Sequence, residues 1–124
     1  VDVVLWLVQV ILAVLFLMAG GMKVLRSKEQ LAEDPRMGWV EEYDQNQIRG
    51  IGGAEVLGAL GLVLPGLTGI ATVLTPIAAI GLAITMLLAS LLHRRRGESQ
   101  ATMMTAAFFI LALVVAIGRF ARPL

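Results

Sequence analysis

The run VLGALGLVLPGLTGIATVLTPIAAIGLAITMLLASLL, residues 56–92, holds 37 residues without a charge. About 20 apolar residues cross a bilayer as helix, so this run is long enough for two crossings. Pro65-Gly66 near its start supplies a break, because proline lacks the N–H that helix continuation needs. The run therefore reads as the end of one span, a turn over 65–68, and a second span. Two further charge-free runs flank it, 3–22 with 20 residues and 101–118 with 18. Together they predict an all-α polytopic membrane protein: one four-helix transmembrane domain over 1–124, with helices at about 3–25, 47–64, 69–92 and 101–119.

Composition points the same way. Of 124 residues, 58% are hydrophobic and 15% charged, and the mean hydropathy is +0.85. A soluble domain this short leaves too much of its surface wet to hide that much apolar area. The first run has no basic residue before it and begins after Asp2, the wrong charge for a cleavable signal, so it is expected to stay as a membrane helix. The absence of cysteine excludes disulfides, a CxxC redox pair and thiolate ligation of a metal. The single histidine, His93, cannot supply two axial haem ligands. Neither a metal site nor an intrinsic cofactor is expected. No nucleophile–base pair is evident, and "GIGG" at 50–53 opens a membrane helix rather than a nucleotide loop. Catalysis by the chain alone is not expected.

Basic residues set the expected orientation. Lys23, Arg26, Lys28, Arg36, Arg49, Arg94, Arg95 and Arg96 fall on the side of the connections 26–46 and 93–100, and Arg119 and Arg122 on the other. The positive-inside bias puts both connections in the cytoplasm and both termini outside a plasma membrane. "HRRRGES" directly follows a span, where it acts as a topology anchor, and a net charge of +1 suits no nucleic acid. In the first connection, Asp34-Pro35 is a helix start with proline in the first turn. It predicts a short interfacial helix, with Met37, Trp39, Val40 and Tyr43 on the headgroup region and Glu41, Glu42 and Asp44 in water.

Polar residues are placed unevenly in depth. The inner half holds Lys23, Arg49, Glu55, Thr85, Ser90, Thr102 and Thr105, with Met18, Met22, Met86, Met103 and Met104, and Met37 adjoining. The outer half is aliphatic apart from Gln9, Thr72 and Thr75. Methionine suits adaptable pockets, so a methionine- and hydroxyl-lined cleft open to the cytoplasmic leaflet is expected, with Glu55 at its floor. An unpaired acid at mid-depth costs several kcal/mol. Lys23 is the cation expected to pair with Glu55, as a clasp between the first two spans. Gly50, Ala54 and Gly58 recur at four-residue spacing and predict a close-packing face, for another helix or a second copy. Pro76 is expected to kink the third span, with Thr72 and Thr75 near enough to satisfy freed backbone groups.

Taken in order, "AGGMKVL" at 19–25, "MGWVEEY" at 37–43, "IGGAEVLGALGLVLPGLTGIA" at 51–71, "LLHRRRGE" at 91–98 and "GRF" at 118–120 resemble the DoxX family, in particular its short four-helix members of the actinobacterial type. The resemblance implies a four-helix membrane bundle associated with redox systems. Family examples include a subunit of a thiosulfate:quinone oxidoreductase and the membrane partner in an assembly of oxidative-stress enzymes. Lys23, Glu55 and His93 carry over as candidate functional positions, with Leu92 standing where such sequences usually have Thr. Three functions follow as expectations. The first is an accessory subunit that docks a redox enzyme and seats a quinone or other hydrophobic ligand among Met18, Met22, Met86, Glu55, Lys23 and His93, with neutral His93 bonding a quinone carbonyl. The second is a structural subunit without ligand chemistry. The third is a small proton-coupled transporter, for which an internal inverted repeat is lacking.

Overall fold

The computed structural model describes residues 2–124. Its body is four long helices, α1 (Asp2–Leu25), α3 (Gln45–Thr68), α4 (Leu74–Arg95) and α5 (Ser99–Ala121), each long and apolar enough to cross a membrane. A short helix, α2 (Lys28–Ala32), and a 3₁₀ segment (Pro35–Glu42) lie between α1 and α3. The protein is an all-α polytopic bundle, α1 packing chiefly on α3 and α4 on α5, with α3 and α4 joining the two pairs. The core between them includes Leu12, Phe16, Leu62, Leu82, Met86 and Val115. Large apolar side chains such as Leu7, Ile11, Leu57, Ile84 and Ile110 face outward on every long helix, a surface that lipid covers. The bundle has a loop end, with residues 26–44 and 96–98, and a turn end, with residues 69–73, the start of α1 and residues 122–124.

Two of the expected boundaries move. α3 does not stop at Leu64 but runs through Pro65 to Thr68, ending where Gly69 takes φ +71°. The turn is thus 69–73, and α4 starts at Leu74 instead of 69. Continuation through Pro65 has a local cause. Proline leaves the carbonyl four residues back, that of Gly61, without its helical donor, and the Thr75 hydroxyl of α4 donates to it at 2.8 Å. Pro76 then lies in the first turn of α4, where N–H groups have no intrahelical acceptor. The expected kink within the span is absent, and Thr75 repairs the break at the other proline.

The tightest crossing joins α1 to α3 at Gly20 and Gly52. A methyl on either glycine would stand 2.6 Å from the other's carbonyl oxygen, so backbone meets backbone. The expected face of Gly50, Ala54 and Gly58 is divided. Gly58 lies under Leu82, a methyl on Gly50 would meet nothing, and Ala54 is exposed.

The first connection is more built than a surface helix. Ser27 and Gln30 cap α2 reciprocally, Asp34 caps the 3₁₀ segment, and Asp44 and Gln47 form a second capping box on α3. Trp39 and Val40 do not rest on a membrane surface. They are buried with Leu31 and Ile48 in a second core that Met22, Met37, Tyr43 and Leu92 adjoin. Covering the helix ends buries more apolar area than headgroup contact would, which explains the difference. Glu41, Glu42 and Asp44 remain exposed.

Candidate functional site

Between the second core and the helical core lies a cleft of about 1200 Å³. Leu15, Met22 and Lys23 of α1, Trp39 of the 3₁₀ segment, and Ala54 and Glu55 of α3 border it. Thr85, Met86 and His93 of α4 line another wall, and Glu98 with Met104, Thr105 and Phe108 of α5 completes it. The open side of Gly50 and Ala54, which no neighbouring helix fills, borders this space.

The Gly20–Gly52 crossing positions the two charges at its floor. Lys23 and Glu55 each follow their glycine by three residues, so both project from the turn beside the contact. Lys23 Nζ donates to Glu55 Oε1 at 2.7 Å, with side-chain exposures of 12% and 3%. The Trp39 ring centroid is 5.8 Å from Nζ, within reach of a cation–π contact. In low dielectric neither charge is tolerable alone.

At the cleft mouth His93 Nδ1 is 2.7 Å from Glu98 Oε1. Arg96 Nε donates to the same oxygen at 3.2 Å, and Arg96 Nη1 donates to Glu42 Oε2 at 2.6 Å. Arg95 bonds the other Glu42 oxygen. These contacts tie the α4–α5 turn to the 3₁₀ segment. The hydrogen bond from His93, then that from Arg96, holds the Glu98 carboxyl below the usual carboxylate range. Arg95 and then Arg96 do the same for Glu42.

Of the methionines, Met22, Met37, Met86 and Met104 line the cleft, whereas Met18 is 63% exposed and Met103 72%. Met18 is therefore corrected as a lining residue. At 100° per residue it lies nearly opposite the stripe of Leu5, Gln9, Leu12, Phe16 and Gly20 that α1 buries. The hydroxyls contribute little reach. Thr85 and Thr105 bond back to the carbonyls of Gly81 and Ala101 on their own helices, and Ser90 donates across to Thr102. Among the described residues, no three His, Asp or Glu groups gather to hold a metal ion.

A second polar cluster, at the turn end, was missing from the sequence reading. The Arg119 side chain is fully buried, its Nε donating to Gln9 Oε1 and its Nη1 to Asp2 Oδ1, both at 2.6 Å. Gln9 Nε2 in turn donates to the Leu62 carbonyl at 2.6 Å, and the Trp6 ring lies 5.6 Å from the guanidinium. The available signal was spacing: Asp2 and Gln9 are seven residues apart on one helical face, and a lone glutamine within a span needs a partner.

The model of the DoxX-like family matches residues 7–115, a stretch that includes the whole cleft, and the chain belongs to that family. No curated protein and no solved structure matches the chain.

Proposed function

We propose that this DoxX-like protein is a membrane accessory subunit of a redox-associated system, docking a partner enzyme at its loop end and seating a hydrophobic ligand, such as a quinone, in the cleft. The observation that carries the reading is the cleft itself. Ligand sites run to roughly 300–1,000 Å³ and are mostly apolar with a few placed polar groups. This one, at about 1200 Å³, has methionine, leucine and phenylalanine walls with Lys23–Glu55 at one depth and His93–Glu98 at another. Gly58, one turn from Glu55, packs on Leu82 of α4, which sets the Glu55 level near Met86. His93 lies seven residues further on, about 10 Å along the helix. That is room for a ring headgroup and part of its tail. The basic bias of the loop end supports a cytoplasmic orientation in the plasma membrane, where a peripheral enzyme would meet the exposed charges of 41–44 and Arg94.

Purification in mild detergent followed by solvent extraction and mass spectrometry tests this. The expected result is a co-purifying isoprenoid quinone, lost in Ala54→Trp, which fills the cleft from an open position, together with a redox enzyme. Protein carrying neither quinone nor enzyme would overturn the reading. The direct Lys23–Glu55 bond favours a second reading, a structural subunit in which the pair is only a clasp. Assembly and cellular phenotype unchanged in Lys23→Met/Glu55→Gln would favour it.

A further inference from the structure

The pair at the cleft mouth determines what kind of ligand atom can be received there. An ionised carboxylate only accepts hydrogen bonds, and Glu98 Oε1 is set as one, receiving Arg96 Nε at 3.2 Å beside the His93 contact. The proton in the 2.7 Å contact between His93 and Glu98 therefore sits on Nδ1. A neutral imidazole with Nδ1–H carries a bare lone pair on Nε2. Among the described residues, His93 makes its side-chain hydrogen bond through Nδ1 alone, while its ring borders the cleft. Nε2 is the nitrogen left for an occupant.

This changes the expected contact. A neutral His93 in this tautomer has no N–H to offer a quinone carbonyl. Resting on the cleft being a ligand seat, we infer that His93 acts as a hydrogen-bond acceptor, and that the cleft selects an apolar-tailed ligand carrying a hydroxyl, a phenol or quinol, over its carbonyl or ether counterpart. Glu98 is the positioning residue: it fixes the tautomer and the ring plane. Arg96 and Glu42 hold Glu98 in turn through the 3.2 Å and 2.6 Å contacts. Lys23 is already committed to Glu55 at the far level, so the mouth is where the hydroxyl is read.

The test uses the full chain in detergent micelles and two redox-inert probes, a para-alkylphenol and its methyl ether, with binding corrected for partition into empty micelles. The phenol is expected to bind about tenfold tighter, the worth of one hydrogen bond to a placed acceptor. His93→Phe should erase the difference. In Glu98→Gln the amide can donate to Nδ1 and leave the proton on Nε2, so the preference should shrink or reverse. Melting curves establish that each variant is folded; if His93→Phe is not, Glu98→Gln carries the test. Equal binding of both probes overturns the inference and leaves the cleft as an apolar seat. A phenol preference that survives both substitutions also overturns it, because the hydroxyl is then received elsewhere. Binding of neither probe brings down the ligand seat and the inference together.

Discussion

At the turn end, Arg119 is wholly enclosed and bonds α1 by way of Asp2 and Gln9 and the Arg122 carbonyl beyond its own helix, with Gln9 reaching on to α3. At the loop end, Lys23 and Glu55 also join two helices, but one side of the pair borders a large open cleft. Close packing marks the sealed end as well: methyls on Gly66 and Gly118 would stand about 2.5 Å from the side chains of Trp6 and Leu5. Gly50 and Ala54 near the cleft meet no such neighbour. A charged side chain enclosed by an apolar bundle thus closes one end, where its partner Asp2 is exposed, and leaves the other with room. At the turn end the polar groups are spent on carbonyls and each other except Arg119 Nη2, which has no partner among the described residues but is shut away from any open space. Where a hydrogen-bonding atom is left over beside empty space, a ligand can be held.

The largest effect that would sharpen this contrast comes from Lys23→Met. It leaves Glu55 alone in low dielectric, and removal of one partner from a buried pair costs about 3–5 kcal/mol. Unfolding in mixed micelles should show this loss, with most of it recovered in Lys23→Met/Glu55→Leu. A single variant as stable as the parent would mean that water in the cleft already solvates Glu55. Next comes Gln9→Leu, which strips an acceptor from Arg119 Nε and a donor from the Leu62 carbonyl. A loss of about 1–3 kcal/mol is expected by the same assay. No measurable loss would break the picture of a sealed end held by polar contacts. Thr75→Val should cost about 1 kcal/mol, because the Gly61 carbonyl loses its replacement donor; Thr105→Val, whose hydroxyl bonds only its own helix, is the near-neutral control.

The smallest expected change is at the surface. Glu42→Gln should raise proteolysis within 27–44 while leaving global unfolding unchanged, since exposed ion pairs add little. Acid should act alike. Glu42 and Glu98 have folded-state carboxyls below the ordinary value of about 4.3, so what they contribute is present above that pH and is lost as pH falls through their lower folded values. Protease susceptibility of the segment should climb in that window, and a flat profile would detach the ionic tie from the loop's order.

The four helices were legible because uninterrupted apolar length allows few alternatives, and Lys23 could be matched to Glu55 because each is a rare charge in such a run. Arg119 escaped notice because it lies near a helix end, where a basic residue ordinarily reads as a topology signal. Pro65 was misread for a different reason. Local rules stop a helix there, and the donor that rescues it is a hydroxyl on a helix yet to come, a tertiary fact. Trp39 shows a third kind of limit: its preference for a half-wet site is met equally by lipid headgroups or by a small protein core. The His93–Glu98 contact depends on the turn at Gly97, with φ +74°, which folds residue 98 back toward the end of α4.

The glycine crossing has a consequence for how the chain enters its membrane. The helix of Lys23 is made before that of Glu55, and neither charge is comfortable in lipid before the other arrives. Because Gly20 and Gly52 let the two backbones touch one turn away, the charges can meet as soon as α3 is threaded in. The α1–α3 pair can then close on its own charges before α4 and α5 join it.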